Sequence, residues 1–402
     1  MPIKPRFANT CKNKNGVSKN VLLPVIAGLY LVACHQPVQD RKHAGVYPSS
    51  SESSGHLPDK EYKHYHNYTS HFFDSLLIKR GFNGSILVAK NGAIVYEKYC
   101  GYADPVHEKD SFTTRSAFHL ASVSKTFTAM GILKLWELKK LSLEDTISKY
   151  FPHFPYPGIT IKILLSHRSG LPNYTHYLEA YHWDKKKPAT NADILNSLYT
   201  MHPPLDFPSG RHFAYCNTNY ALLALIIEKV SGESYHDFMK NTFFIPLGMK
   251  DTYVYTPADS PHAMPSYEWN NRKFDKDFLD EVYGDKNIYS TVRDLLKWDR
   301  ALYPGNLFTQ QTLNAAFMPY SFEKEGKRNY GLGWRMTLLD NGKKLLYHNG
   351  WWHGNNTVFI RLIDEDATII VLGNKFNRKI YSTKYLCDLF GKYQQHKEAE
   401  DI

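Results

Sequence analysis

Apolar and polar positions alternate early in the chain on both sides of a two-residue break. Gly84-Ser85-Ile86-Leu87-Val88-Ala89-Lys90 and Ala93-Ile94-Val95-Tyr96-Glu97-Lys98-Tyr99 flank Asn91-Gly92. Asn-Gly suits a tight turn because both residues tolerate positive φ, so the pattern predicts a β-hairpin. A helical pattern precedes it at about 68–79. Further helical patterns follow at 122–138, 159–167, 191–201, 217–230 and 235–242. A second strand-rich part starts near 330, with another hairpin at Asn341-Gly342 and strands at 357–362 and 367–372. A last helix is expected at 379–389. Strands at both ends and helices between them predict an α+β fold. One antiparallel sheet is built from the two ends, and the helical part is inserted at one side.

The amino terminus has a different character. A basic stretch precedes the apolar run 21–33, which carries Pro24 and is too short to span a bilayer. It reads as a secretory signal. It ends in Leu31-Val32-Ala33-Cys34, which resembles a bacterial lipobox. That resemblance implies a lipidated Cys34 as the first mature residue. It also implies more than one acyl chain, which stable anchoring needs. The expected organisation is a lipoprotein signal at 1–33, a flexible tether at 34–66, a folded domain at 67–395 and a tail at 396–402. The serine-rich stretch 49–54 carries the tether reading. The expected location is outside the cytoplasm, on the periplasmic or cell-surface face of a bacterial membrane. No other stretch reads as membrane-spanning, because the apolar run 221–227 is stopped by Glu228 and Lys229.

Composition adds little to this picture. Hydrophobic residues make up 43% and charged residues 22%, which fits a globular chain with ample core material. The formal charge is +10. Five of the 49 basic residues (Lys4, Arg6, Lys12, Lys14, Lys19) lie in the first 33, which hold no acid. That leaves 44 basic against 39 acidic residues, and no basic stripe with interleaved aromatics, so nucleic acid is not an expected partner. Cys100, Cys216 and Cys387 remain after Cys11 and Cys34, an odd number that does not read as a disulfide framework. One pair plus a free thiol stays open. His56, His64, His66 and His71 come without a zinc-type ligand spacing, so no metal is expected.

Three clusters carry candidate chemistry. Ser122-Val123-Ser124-Lys125 opens a helix and places a hydroxyl one turn from an amine, on the same face. A serine is a weak nucleophile until a base takes its proton, and a neutral Lys125 is one such base. The helix start adds N–H groups and a partial positive charge that favour developing negative charge. Tyr215-Cys216-Asn217 comes next, offering a phenol as a second base or proton relay, and an amide donor and acceptor. His348-Asn349-Gly350 follows the strand-like 344–347. No G-x-S-x-G elbow and no H-E-x-x-H is present, which removes the main support for an elbow hydrolase or a zinc peptidase.

In this order the clusters resemble the three motifs of serine penicillin-recognising enzymes, and in particular the class C β-lactamase family. That family includes D-alanyl-D-alanine carboxypeptidases, D-aminopeptidases and esterases. Segments 164–172, 246–249, 289–295 and 330–334 also look like family text, and the resemblance runs from about Phe72 to about Leu389. It implies a β-lactamase-like α/β/α sandwich with the active site beside the inserted helical region. It implies Ser122 as nucleophile and Lys125 and Tyr215 as base or relay. Asn217, His348, Asn349 and Gly350 become substrate-binding residues, and the backbone N–H groups of Ser122 and Trp351 an oxyanion hole. Histidine stands where many relatives have a lysine facing a substrate carboxylate, and Asn349 where threonine or serine is common. Cys216 stands in place of a serine and reads as a small buried filler. His167 and Arg168 read as structural. The implied activity is acyl transfer from a D-amino-acid peptide, amide or ester, without a cofactor. A β-lactamase, and a penicillin-binding sensor or binding protein that does not turn over, are the alternatives.

Overall fold

The computed structural model describes residues 55–323 and 326–393. The signal at 1–33, the lipidation candidate Cys34, the tether up to 54 and the tail at 396–402 lie outside them. No helix among the described residues is long and apolar enough to cross a membrane.

The sheet has seven strands drawn from both ends of the chain. In spatial order they are Ala93–Cys100, Gly84–Lys90, Ala367–Gly373, Asn355–Leu362, Lys344–Trp352, Arg335–Leu338 and Arg328–Tyr330. Every neighbouring pair is antiparallel. The first hairpin turns as expected, with φ of 51° at Asn91 and 75° at Gly92. Alternate residues feed two cores. Leu87, Phe359, Ile370 and Leu372 point to the helical side. Ile86, Val88, Val358, Ile360, Ile369 and Val371 point to the other. Two-sided burial explains why Asn355–Leu362 is buried throughout instead of alternating.

The outer layer shows two departures from expectation. The first helix spans Asp59–Leu76, so it begins inside the stretch read as tether. Pro58 precedes it, and Asp59 and Glu61 sit in its first turn, where acids suit the helix dipole. Its apolar stripe reaches the sheet. Phe73 stacks on Tyr96, and Tyr65 stacks on Phe390. The histidines hid a genuine amphipathic helix. The last element, Arg378–Leu389, is a 3₁₀ helix and covers the same face.

On the other face lies the helix Ser124–Glu137, which is buried from Ser124 to Leu135. It runs through the molecule's centre, which is why it shows little amphipathicity. The inserted helix Asn217–Ser231 packs on it, and Asn191–Met201 packs on that helix in turn. Helix Val292–Ala301, absent from the sequence reading, is pinned to the sheet by an ion pair. Arg361 Nε lies 2.5 Å from Asp299 Oδ1, and both side chains are fully buried. Removing one charge of such a pair strands the other. Asp299→Ala is therefore expected to lower stability by about 3–5 kcal/mol, read as a shift in the urea unfolding midpoint.

Candidate active site

Ser122 sits in the short turn Ala121–Val123 that leads into the central helix. The turn is held from several directions. Ala121 adopts φ 48°, a left-handed conformation that costs a residue with a Cβ about 1–2 kcal/mol. Its N–H donates to His119 Nδ1 at 3.0 Å, and His119 Nε2 lies 2.9 Å from Asn287 Oδ1. Thr357 donates from the sheet to the Leu120 carbonyl at 2.8 Å. The helix then brings Lys125 round by one turn. Its Nζ lies 3.1 Å from Ser122 Oγ and 2.8 Å from the Asp285 carbonyl, and the residue is fully buried.

The Tyr215 segment forms the next wall. Lys125 Nζ stands 4.9 Å from the centre of the Tyr215 ring. Tyr215 Oη and Asn217 Oδ1 are buried and have no hydrogen-bond partner among the described residues. Asn217 is the first residue of helix Asn217–Ser231. His167 lies beneath this wall, its ring centre 4.4 Å from that of Tyr215. Its Nδ1 accepts from the Cys216 N–H at 3.1 Å. Burial, then Lys125, then Arg335 push the His167 imidazole well below its usual range, so it acts as a neutral support. Cys216 is a filler, as expected. Its thiol donates to the Leu171 carbonyl at 3.2 Å, and burial raises its pKa to about 11.

The third wall is the strand Lys344–Trp352. Its neighbour Arg335–Leu338 pairs only with residues 344–347, so 348–352 present an edge without a strand partner on that side. Gly350 is pressed against the serine turn. A Cβ there would come within 2.4 Å of the Leu120 carbonyl and 2.2 Å of Thr357 Oγ1. This close approach sets the backbone at Trp351 beside Ser122. Trp351 is 64% exposed on the cleft wall. Trp352 is half-buried, and Lys286 Nζ lies 4.6 Å from its ring centre.

The structure gathers Ser122, Tyr215, Asn217, Asn349, Gly350 and Trp351 along one cavity of about 770 Å³, with Lys125 directly behind the serine. His348 departs from expectation. It is fully buried behind the wall and does not line that cavity. Its Nε2 lies 3.2 Å from Tyr330 Oη and its Nδ1 2.8 Å from the Asn349 carbonyl. Burial, then the positive charges of Arg335 and Lys125, hold it well below the usual imidazole range. It is neutral near pH 7 and does not face a substrate as a cation.

Arg335 is the functional candidate that sequence reasoning missed. It stands opposite Tyr347 in the hairpin register, opens into the cavity, and lies 4.8 Å from the Tyr215 ring centre. It makes no ion pair among the described residues. The Asn341-Gly342 hairpin was the available signal, because pairing 335–338 with 344–347 carries Arg335 to the motif. Asp285 and Lys286 were also missed. The Asp285 carbonyl holds Lys125, and its carboxylate accepts from Tyr174 at 2.8 Å. Lys286 bonds Tyr174 from the other side, and burial lowers its pKa.

The Beta-lactamase family profile matches residues 71–384. Penicillin-binding protein 4* of Bacillus subtilis (strain 168) is 38% identical over 320 residues, covering 75% of this chain and 70% of that protein. Putative penicillin-binding protein PbpX of the same strain is 33% identical over 258 residues; the match covers 63% of this chain and 62% of PbpX. A penicillin binding protein structure from Bacillus halodurans superposes with a TM-score of 0.70 at 22% identity, over 79% of this chain and 99% of that one. A D-amino acid amidase from Ochrobactrum anthropi SV3, complexed with L-phenylalanine amide, gives 0.66 at 24% identity, over 81% and 97%. At these identities the two structures establish the shared fold.

Three buried histidines set a pH dependence. His119 is lowered to about 4, chiefly by burial, and His167 and His348 are lowered well below 6.5. The unfolded chain binds protons at these groups near pH 6.5, whereas the folded chain does not. Their stability contribution is full above about pH 6.5 and is lost as pH falls toward the folded values. The thermal midpoint is expected to drop steadily between pH 7 and 4.5, and His348→Gln to shallow that drop.

Proposed function

The chain belongs to the β-lactamase family of serine hydrolases, and from that premise we propose that Ser122 is acylated by a D-amino-acid peptide, amide or ester. The observation that carries this reading is the 3.1 Å contact between Ser122 Oγ and the buried Lys125 Nζ at the wall of the cleft. Lys125 Nζ takes the serine proton while Oγ attacks the substrate carbonyl. Tyr215, whose hydroxyl lacks a protein partner, relays that proton to the leaving amine or alcohol. Water then attacks the acyl-enzyme, releases the acid and restores the serine. The backbone N–H groups of Ser122 and Trp351 stabilise the oxyanion in both steps, and each such donor contributes about 2.7–4 kcal/mol in comparable sites. Asn217 orients the substrate amide, and Asn349 and Gly350 line its path.

A substrate carboxylate is received by Arg335 instead of His348. The guanidinium opens into the cavity with a planar fork of donors that suits a carboxylate, whereas the imidazole is neutral and buried. Parallel pH profiles for charged and neutral substrates above pH 6 are the outcome expected from this assignment. The names of the relatives, penicillin-binding proteins and a D-amino acid amidase, support the substrate class.

Labelling with a fluorescent phosphonate and a fluorescent penicillin tests the reading. Both are expected to modify the wild type, and Ser122→Ala is expected to abolish both; retained labelling moves the nucleophile elsewhere. Lys125→Ala and Tyr215→Phe should each slow acylation by about 10²–10⁴-fold, without adding in the double variant, because they share one proton. Arg335→Gln should lower kcat/KM about tenfold or more for carboxylate-bearing substrates and little for neutral esters. Rapid turnover of penicillin would identify a β-lactamase, and a persistent penicillin adduct without turnover of any peptide, amide or ester a sensor.

Export and anchoring through Cys34 belong to the same proposal, supported by the signal-like 1–33 and the lipobox-like 31–34. Mass spectrometry of the mature protein is expected to find an acylated Cys34 at its amino terminus. An unmodified terminus farther along the chain removes the anchor.

A further inference from the structure

The cavity does not end at the reacting centre. It passes the strand edge beside Ser122 and continues onto the opposite face of the sheet, over a floor of Leu345, Val358 and Ile360. Gly350 and Leu345 bound this run along one strand. Five residues at about 3.4 Å each make it roughly 17 Å long, several times what a single amino-acid amide needs.

The charge along this run is one-sided. Arg328, Arg335, Arg378, Lys379 and Lys384 line it, and none of its described lining residues is an aspartate or glutamate. Elsewhere on the molecule cations are commonly matched, as Arg293 is by Glu97 and Lys187 by Asp193. Arg335, Arg378, Lys379 and Lys384 make no ion pair among the described residues. Three of these cations stand on the 3₁₀ helix Arg378–Leu389. That helix is tied to the reaction strand, because Tyr381 donates its hydroxyl to the Gly350 carbonyl at 2.9 Å. An ordinary solvated basic surface would not be a continuous extension of the serine cleft. Low-dielectric walls focus such a field and favour anions inside it.

We propose that the part of the cleft on the opposite face of the sheet is an oxyanion subsite, where Arg378, Lys379 and Lys384 hold a second carboxylate or phosphate of an extended substrate whose amide or ester lies at Ser122. Arg335, opposite Tyr347 on the other flank of the reaction strand, is a separate positive point, so the substrate carries negative charge at two places. The inference rests on acylation at Ser122 and adds to it the length and charge of what is acylated from.

Three esters test it, with identical reactive ends and a flexible spacer, no longer than the run of about 17 Å, that ends in carboxylate, phosphate or neutral amide. In wild-type protein at low salt, kcat/KM is expected to favour at least one anionic end over the neutral one by about tenfold, and 0.5 M salt to erode the preference. The order of phosphate and carboxylate identifies which oxyanion the subsite takes. The variant Arg378→Gln/Lys379→Gln/Lys384→Gln should lose the preference while phosphonate still labels Ser122. Equal rates for the three esters, or a preference that survives in the variant, overturn the subsite. Lys384→Gln alone, compared with the salt series, decides the matter if the triple variant unfolds. If phosphonate fails to label wild-type Ser122, acylation there is wrong, and calorimetry of the same three compounds still judges the subsite. Tighter binding of an anionic end that is lost in the variant supports it, and equal binding refutes it.

Discussion

A lysine wholly removed from water must be answered by the protein around it, and Lys125 imposes that demand on the whole domain. A buried ammonium or amine without partners costs several kcal/mol. Its partners here come from segments far apart in sequence: the Ser122 hydroxyl, the Asp285 carbonyl, and the ring faces of Tyr215 and Tyr220. None of these contacts forms unless the central helix, the Tyr215 loop and the 285–290 segment close on one another. The small sheet of Phe118–His119, Ile288–Ser290 and Tyr253–Val254 makes that closure rigid, since it carries the serine turn and the Asp285 segment on paired strands.

The same closure explains the strain at Ala121. A left-handed alanine is unfavourable alone, but its N–H and the neighbouring Leu120 carbonyl are both satisfied, by His119 and Thr357. Gly350 completes the arrangement by approaching to a distance that no side chain permits. The geometry around the serine is thus set before any substrate arrives, which is what preorganised stabilisation of an oxyanion requires.

The framework was legible where local chemistry decides structure. Asn91-Gly92 fixed the first hairpin, and residues 191–201 formed a helix over the expected span. The spacing from Ser122 to Lys125 and the order of the three motifs located most of the cleft. What remained hidden depends on contacts distant in sequence. Arg335 acquires its place only through pairing with Tyr347, and Asp285 contributes a carbonyl, which no residue type advertises. Whether His348 is neutral or charged could not be decided from the sequence, because its state is set by burial and by two cations from other segments. The Asp59–Leu76 helix was obscured by its polar, histidine-rich face, since its apolar stripe has meaning only against the sheet.

The unpaired edge at 348–352 has a bearing on solubility. A strand edge exposes donors and acceptors that any other extended chain could join, and long flat edges invite aggregation. This one is only five residues long, and His353 at φ 51° turns the chain away immediately after it. The cations beside it repel copies of the same molecule. An opening wide enough for one extended guest is therefore too short, and too strongly charged, to template a growing stack of its own kind.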